Sequence, residues 1–485
     1  MNTIDPVAGS SKVIECLPGH GRAVVIGASI AGLMAARVLS EHFAEVCVLE
    51  RDALPEDAAP RKGTPQAIHP HGLLARGREV MEQLFPGFTE ALVAQGALTG
   101  DVGLDVAFDA DAKRLARPRT GCLGVLAGRL AIEAELRRRT RALPGVRMIT
   151  GVDVREPVYE PAAGRVTGVR YGRCSPAADS RTLTADLVLD CSGRGSHSPG
   201  WLDAWGYEPP AEERVKIDLS YTSAYFARDS RERPLTAGVI STATPGLPRP
   251  AVLLAQEPGA DGRPRWVAGV GGYAGDHPEA SIEGMRTRAR EIGGAEIIDL
   301  AERGELLGPV MRYRFPHSQR RHFERLSRFP GGFLVMGDAL ASFNPIYGQG
   351  MTVAACEALA LREALKAGLH GLAPRFFKAA SKVIDIPWQL AVGGDLALPV
   401  VPGPRPLPVR IVNAYIGRLY RAAVRDAAVA GAFLRVVHLI DKPPSLFAPR
   451  VLWRVMLRGG RRPGADAVAR VELAARRQVV RPDIG

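Results

Sequence analysis

Residues 23–32 read AVVIGASIAG, a short apolar run that leads directly into a turn of small residues. The run is rich in β-branched side chains, which is typical of a strand buried in a parallel sheet. The turn matches the pattern G-x-G-x-x-G, except that Ser29 takes the place of the middle glycine. Helical apolar spacing follows at residues 33–40, and residues 45–50 form a second strand-like run. The sequence therefore predicts a βαβ unit near this end of the chain.

Each position of this turn has a chemical reason for its residue type. Gly27 permits a tight turn, a small residue at Ser29 lets a pyrophosphate approach the backbone, and Gly32 lets helix and strand pack closely. The first turn of the helix offers unpaired N–H groups to phosphate oxygens. Glu50 ends the second strand, where it can accept a hydrogen bond from a ribose hydroxyl. These features predict a dinucleotide site, and a purely structural strand–turn–helix is the alternative.

A distant segment favours a flavin over a nicotinamide dinucleotide. Residues 337–351 read GDALASFNPIYGQGM and follow a strand-like run at 333–336. The carboxylate of Asp338 can accept a hydrogen bond from a ribityl or ribose hydroxyl. A helix that begins near Gly350 would direct its positive end at the part of a flavin ring where negative charge collects on reduction. An ordinary strand–loop–helix connection is the alternative.

These two segments carry a resemblance to a known family. Residues 27–51 together with 337–351 resemble FAD-dependent monooxygenases of the para-hydroxybenzoate hydroxylase superfamily. Residues 61–71, RKGTPQAIHPH, together with 344–351, are similar to the branch that contains bacterial polyether-type flavin epoxidases. The resemblance covers most of the chain up to about residue 366. It implies an α/β fold in which a Rossmann-type, glutathione-reductase-like FAD domain is interwoven with an α+β substrate domain built on an antiparallel sheet, plus a helical C-terminal region.

The expected segments alternate between these two domains. Alternating apolar residues at 251–254 and 266–270 predict antiparallel strands of the substrate domain. The proline-rich stretch at 399–408 predicts a break between helices. We expect a flexible tail at 1–20, FAD-binding parts at 21–100, 126–204 and 330–385, substrate-domain parts at 101–125 and 205–329, and the helical C-terminal region at 386–485.

The resemblance also implies roles for individual residues. The implied cofactor-binding residues are Gly27, Ala28, Ser29, Ile30, Ala31, Gly32, Glu50, Arg51, Arg61, Lys62, Arg129, Gly337, Asp338, Pro345, Gly348, Gln349, Gly350 and Met351. The candidates near the flavin ring are Gln66, His69, His71 and Tyr347, with no catalytic residue assigned. The two histidines could instead order a loop, and because no third ligand is evident, no metal site is predicted. Candidates for the substrate wall are Trp205, Tyr221, Tyr225 and Phe226, with burial in the core as the alternative.

The implied activity is that of an FAD-dependent monooxygenase. Such an enzyme transfers one oxygen atom of O2, through a flavin C4a-hydroperoxide, to a lipophilic polyketide, terpenoid or aromatic by epoxidation or hydroxylation. NAD(P)H would supply the electrons, directly or through a separate flavin reductase. The reductase is considered because Ser192 stands where relatives that bind the nicotinamide directly usually carry an aspartate. The alternative is a flavin-dependent dehydrogenase or reductase of a prenyl-type substrate, and a halogenase is disfavoured because the W-x-W-x-I-P segment is missing.

Composition limits the remaining possibilities. The 485 residues include 63 basic and 51 acidic side chains, a net charge of +12, without a block of like charges that would indicate nucleic-acid binding. The six cysteines are far apart, which predicts a reducing compartment. The chain start does not resemble a signal peptide, and no apolar run is long enough to span a membrane, so we expect a cytoplasmic protein. Residues 445–458 mix apolar side chains with arginines and would pack on the protein body, with weak contact to a membrane surface as the alternative.

Overall fold

The computed structural model describes residues 21–174, 180–229 and 236–459. The expected tail at 1–20 and the end of the C-terminal region lie outside the described residues. Within them the chain forms eighteen strands: β1 Arg22–Ile26, β2 Glu45–Glu50, β3 Leu98–Asp101, β4 Val106–Ala110, β5 Lys113–Arg114, β6 Leu123–Leu126, β7 Val146–Thr150, β8 Val152–Glu160, β9 Arg165–Arg173, β10 Arg181–Thr184, β11 Leu187–Asp190, β12 Glu212–Ala227, β13 Gly238–Thr242, β14 Ala251–Gln256, β15 Arg265–Gly272, β16 Met311–Arg321, β17 Phe333–Val335 and β18 Ala341–Ser342.

The same residues form twelve α-helices. They are α1 Ile30–Leu39, α2 Ala75–Leu84, α3 Phe88–Ala94, α4 Arg129–Arg141, α5 Ser198–Ala204, α6 Ile282–Ile292, α7 Ala295–Arg303, α8 Gly350–Leu365, α9 Leu372–Ala397, α10 Leu407–Ala423, α11 Ala427–Val437 and α12 Pro449–Arg458. None of the helices in the described part of the chain is both long and apolar enough to cross a membrane.

A five-stranded parallel sheet contains the predicted βαβ unit. Its strand order is β17-β11-β1-β2-β7, so β1 lies at the centre, hydrogen-bonded to β2 on one side and β11 on the other. The apolar run of β1 is buried, as a central parallel strand requires, and α1 begins directly after the glycine-rich turn. Because β1, β11 and β17 are adjacent, the turns after these three strands meet at one edge of the sheet.

An eight-stranded sheet forms the second layer. Its order is β18-β16-β12-β15-β14-β13-β4-β5, and the neighbours are antiparallel except for the parallel pair β13 and β4. The runs predicted at 251–254 and 266–270 are β14 and β15, which pair with each other as antiparallel strands. The chain enters this sheet first at β4, returns to the parallel sheet at β7, and crosses again at β12 and β17. The predicted interwoven α/β fold is therefore confirmed.

The C-terminal helices form a compact group on the second sheet. Helix α9 runs unbroken through Pro387, so the expected boundary between residues 385 and 386 falls inside one helix. Pro387 has no N–H to donate to the preceding turn, and its ring crowds that turn, yet the helix continues with Pro387 and Trp388 buried. The proline-rich stretch separates α9 from α10, as predicted. Phe433 on α11 packs edge to face against Phe108 on β4, so these helices share a core with the substrate-domain sheet.

Candidate cofactor and substrate site

The turn after β1 has a shape that only glycine allows at two positions. Gly27 has a φ of +99°, and a Cβ added there would lie 2.7 Å from the carbonyl oxygen of Cys191. A Cβ added at Gly32 would lie 1.9 Å from the carbonyl oxygen of Gly27. The two glycines let α1 approach the ends of β1 and β11 closely, and they leave the first N–H groups of α1 at the edge of the sheet.

A serine and an arginine supply polar groups beside this turn. Ser29 Oγ donates a hydrogen bond to Glu133 Oε2 at 2.9 Å and accepts one from Arg129 Nη2 at 2.8 Å. Arg129 is the first residue of α4, and its buried Nε has no hydrogen-bond partner among the described residues. The Arg129 guanidinium is partly exposed, and its Nε lies 3.7 Å from Glu133 Oε2, an ion pair too long for a hydrogen bond. A guanidinium with an unused donor, next to the N-terminus of α1, is a donor set that suits a phosphate group.

Acidic residues hold the outer side of the turn. Glu50 is buried, and its Oε2 accepts a hydrogen bond from the backbone N–H of Ala28 at 2.7 Å. Arg61 lies 3.0 Å from Asp52 and 2.7 Å from Glu133, so its charge is neutralised by carboxylates. Glu50 therefore binds the backbone of the turn directly, and Arg61 binds the acidic residues beside it. Arg51 and Lys62 are exposed side chains on the surface beside it.

Asp338 stands at the end of β17, on the same edge of the sheet. Its side chain is open to solvent although protein surrounds the site, as at the bottom of a cleft. This surrounding protein raises the pKa of Asp338, while the charges of Arg129 and Arg194 oppose the rise. The guanidinium of Arg194 lies 4.7 Å from the centre of the Phe315 ring, and its buried Nη2 is unpaired within the described residues. The cleft therefore brings the carboxylate of Asp338 near the positive charges of Arg129 and Arg194.

Arg194 is a site residue that the sequence did not reveal. It belongs to the turn after β11, which Asp190 holds by accepting hydrogen bonds from the N–H of Ser192 and from the hydroxyl of Ser196. Ser192 itself is exposed at the surface of this turn. The Gly-Arg-Gly-Ser turn was visible in the sequence, but only the tertiary structure brings its arginine to the cleft that contains Asp338.

The loop after Asp338 prepares the start of α8. Gly348 adopts a left-handed conformation with φ +65°, and α8 begins two residues later. A Cβ added at Gly350 would meet no atom of the described residues within 4 Å, so the helix start faces open space. The buried Oε1 of Gln349 accepts no hydrogen bond from any group that the structure describes. Unused polar atoms at a helix N-terminus fit the polar edge of a flavin ring.

A cavity of about 500 Å³ begins at this loop. Its volume lies within the range of about 300–1,000 Å³ that is usual for small-molecule sites. The cavity extends between the second sheet and helices α9 to α11, and most of its lining is apolar. Residues that represent its walls are His71, Phe108, Leu126, Tyr221, Ile240, Leu254, Tyr347, Ile416, Tyr420 and Phe433.

One of the four aromatic residues predicted for the substrate wall lines this cavity. Tyr221 does so, whereas in the described part of the chain Trp205, Tyr225 and Phe226 do not. Trp205 stacks on Tyr159, and the fully buried Phe226 packs in a core on the other face of the sheet. Tyr221 and Phe226 point to opposite faces of β12, because adjacent residues of a strand alternate between the two faces of the sheet. Tyr225 is on the same face as Tyr221 but packs in a small core with Leu126 and Leu254.

The two histidines order a loop, and His71 also faces the cavity. His71 Nδ1 donates to the carbonyl oxygen of His69 at 2.8 Å, which leaves Nε2 as the acceptor nitrogen. Burial, and then the charge of Arg129, lower the pKa of His71 to about 3. Burial lowers the pKa of His69 to about 4, and its Nδ1 lies 3.0 Å from Ser223 Oγ. Both rings are neutral at physiological pH. Gln66 lies in a short turn and, within the described chain, not on the cavity wall.

A buried aspartate next to the cavity was not predicted. Asp395 Oδ1 accepts hydrogen bonds from Asn344 Nδ2 at 2.7 Å and from the hydroxyl of Tyr347 at 3.2 Å. Its Oδ2 is unpaired in the residues that the structure describes, and burial raises the pKa of Asp395 to about 7. Because Tyr347 lines the cavity, this pair can accept a proton from a hydroxyl group bound there. The only signal in the sequence was a lone acid in an apolar helical stretch.

The described residues contain no cluster of three or more side chains arranged to hold a metal ion.

No protein-family model matches the chain. The chain is 35% identical to Protein Rv3254 of Mycobacterium tuberculosis over 434 residues, which cover 86% of this chain and 90% of that protein.

Two solved structures show a similar fold at low sequence identity. One is PqsL from Pseudomonas aeruginosa, a probable FAD-dependent monooxygenase, with a TM-score of 0.57, 18% identity, and coverage of 78% of this chain and 98% of PqsL. The other is a flavoprotein/dehydrogenase from Cytophaga hutchinsonii, with a TM-score of 0.63, 16% identity, and coverage of 90% and 97%. The chain therefore belongs to the family of Protein Rv3254, and its fold is that of FAD-dependent monooxygenases.

Proposed function

We propose that the protein is an FAD-dependent monooxygenase that transfers one oxygen atom of O2 to a lipophilic small molecule. The observation that carries the proposal is the largely apolar cavity that begins at the loop of residues 345–349, directly beside the cleft of Asp338. The same loop links the cavity to the segment that carries Asp338, which stands at the sheet edge where the dinucleotide-type turn also lies. Epoxidation, as in the polyether-type branch, and hydroxylation both belong to this proposal.

The residues present fit FAD. The glycine cradle at Gly27 and Gly32 and the unused donor of Arg129 would hold the pyrophosphate. Asp338 would accept hydrogen bonds from the ribityl chain, and the open start of α8 at Gly350 would face the ring. The remaining implied residues of these segments, Ala28, Ile30, Ala31, Gly337, Pro345 and Met351, would contribute backbone and packing contacts. Bound flavin would supply the activation of O2.

Residues of this chain bind the substrate, orient it and surround it with a largely apolar wall. Apolar side chains such as Leu254 and Phe433 line the cavity and make it a poor site for water. A substrate hydroxyl that donates to Tyr347 Oη can pass its proton on, because the Tyr347 proton can move to Asp395 Oδ1. Burial raises the pKa of Tyr347, so its phenol stays protonated and donates. This pair favours hydroxylation of a phenol or enol, since an isolated alkene needs no base.

The electron donor is part of the proposal. NAD(P)H reduces the flavin either directly or through a separate flavin reductase. Ser192 leaves the turn after β11 without the aspartate that direct nicotinamide binding usually uses. We therefore expect NADH or NADPH to be oxidised slowly by the protein alone and rapidly when a flavin reductase is added.

Isotope labelling tests the proposed reaction. The full-length protein is incubated with FAD, reductant, isotopically heavy O2 and a panel of lipophilic polyenes, terpenoids and phenols. We expect one heavy oxygen atom in a product. A saturated or desaturated product without label would favour the alternative, a dehydrogenase or reductase of a prenyl-type substrate, which the fold also accommodates. A protein that stays colourless after exposure to FAD would overturn both.

Replacing Arg129 tests the cofactor site separately from turnover. We expect Arg129→Gln to weaken FAD binding by roughly tenfold to hundredfold, because a charge-assisted hydrogen bond contributes about 1.5–3 kcal/mol. Fluorescence quenching of FAD on titration with apoprotein measures the affinity. Arg138→Gln on the same helix is the matched control, since Arg138 is largely exposed and bonds to Glu135. Equal affinities for the two variants would remove Arg129 from the site.

A further inference from the structure

The C-terminal helices expose an unusual number of apolar side chains. Of the twelve large hydrophobic residues exposed in the described chain, nine lie between residues 400 and 457. Trp453 is 67% exposed, Leu407 65% and Ile411 59%. We call the following residues the C-terminal patch: Leu407, Ile411, Val412, Phe447, Trp453, Met456 and Leu457.

The elements that carry the patch are in contact with one another. The Phe447 ring stacks on Tyr415 of α10 at 4.6 Å between ring centres. Arg421 of α10 donates a hydrogen bond to the carbonyl oxygen of Gly459, directly after α12. Leu407, Ile411 and Val412 extend this surface along the start of α10.

The segment that carries this patch also carries most of the net positive charge of the protein. Residues 398–459 contain ten basic side chains and two acidic ones, so they carry +8 of the total charge of +12. Asp426 is buried and already paired with Arg454 and Arg458. Asp441 is paired with Arg435. The exposed face therefore combines apolar side chains with excess positive charge, which is typical of a helix that lies on an anionic membrane.

The cavity reaches this same face. Val412 and Phe447 belong to the patch, and both also line the cavity. Each is 43% exposed, so these two side chains connect the cavity wall to the protein surface. A lipophilic molecule could pass between the patch and the cavity without crossing water.

We propose that the C-terminal patch docks onto the surface of an anionic lipid bilayer. Trp453, Met456 and Leu457 enter the headgroup region, and the exposed Arg410 and Arg450 meet the lipid phosphates. A bilayer is the occupant favoured over a second copy of the chain, because two copies would bring equal positive charges together. The docking does not depend on the reaction that the site performs.

Vesicle sedimentation of the full-length protein tests the docking. Vesicles of phosphatidylcholine with phosphatidylglycerol are compared with vesicles of phosphatidylcholine alone. We expect at least about tenfold tighter binding to the anionic vesicles, with a steep loss at high salt. Equal binding to both vesicle types, or to neither, overturns the proposal.

Paired variants show whether the patch carries the binding. We expect Arg410→Glu with Arg450→Glu to weaken anionic binding at least about twentyfold, since each lost basic residue costs roughly a factor of five. Trp453→Ser with Leu457→Ser is expected to weaken it about tenfold or more. Controls are Val93→Ser and Arg303→Glu, both exposed in other helices, and we expect them to bind as the parent protein does.

Two further outcomes would contradict the docking. Binding that survives in both patch variants would place the membrane contact elsewhere. A dimer in light scattering that the patch variants dissociate would identify a second copy as the occupant. Because the substituted side chains are exposed, unchanged melting temperatures are expected and show that the variants are folded.

Discussion

Gly32→Ala is expected to yield a protein that no longer retains FAD and that is less stable by about 3 kcal/mol. The new methyl group would lie 1.9 Å from the carbonyl oxygen of Gly27 and 3.3 Å from Val25 Cγ1. Neither the strand end nor the helix can move freely, because Gly27 also donates its N–H to the carbonyl oxygen of Leu49. Alanine is the better helix former, but the gain of at most about 1 kcal/mol does not offset this clash.

Two measurements separate the effects of this substitution. Chemical unfolding of the apoprotein reports the change in stability, and absorbance after incubation with FAD reports cofactor binding. Gly200→Ala is the matched control, since Gly200 is exposed in α5 and a Cβ there meets none of the described atoms within 4 Å. We expect the control to be neutral or slightly more stable. Parent-like stability of Gly32→Ala would show that the turn tolerates a side chain.

Glu357→Gln is expected to make the protein more stable at neutral and alkaline pH. Glu357 is fully buried on α8, and its Oε2 accepts a hydrogen bond from the backbone N–H of Gly337 at 2.7 Å. Its Oε1 has no partner within the described chain. Burial, with a contribution from Asp338, raises the pKa of Glu357 from 4.5 to about 8. Glutamine keeps the bond to Gly337 without a charge to bury.

The sign of the effect follows from the two pKa values. The unfolded chain releases the Glu357 proton above about pH 4.5, whereas the folded protein holds it up to about pH 8. The stability that this group contributes is therefore fully present below pH 4.5 and is lost as the pH rises towards 8. The loss approaches about 3–5 kcal/mol at the alkaline end, at about 1.4 kcal/mol per pH unit.

The difference in unfolding free energy between parent and variant isolates this group from other titrating residues. We expect the difference to be small near pH 4.5 and to grow in favour of Glu357→Gln up to pH 8. Glu363→Gln on the same helix is the control, because Glu363 is exposed and paired with Lys366. A difference that does not change with pH would mean that Glu357 is already ionised in the folded protein.

Local patterns predicted most of the fold. The β-branched run and the glycine-rich turn at 23–32 predicted a βαβ unit, and β1, α1 and β2 form it. The alternation at 251–254 and 266–270 predicted antiparallel strands, and β14 and β15 pair in this way. These patterns are reliable because a strand that is covered on a face must place apolar side chains on that face, and this requirement is visible in the sequence.

The site could be predicted only in part. Backbone-based features, such as the cradle at Gly27 and Gly32, follow from the short sequence motif because neighbouring residues build them. The Tyr347–Asp395 pair joins residues from a loop and a helix that are 48 positions apart, and no short motif records such a contact. Arg194 was visible in a turn but had no assigned role until β11 and β17 were placed side by side.

The sequence by itself determined which groups stand at the ends of β1 and β17. Glycine, serine and aspartate at those positions act through the local geometry of the backbone, which a short motif specifies. Only the tertiary structure decided how α9, α10 and α11 close the cavity and which side chains face it. The physical reason is that burial, the shifted pKa of Asp395 and the exposure of Trp453 depend on neighbours from distant segments. The packing of those segments decides how far water reaches each side chain. Access to water in turn decides how costly an ionised group or an exposed apolar surface is in free energy.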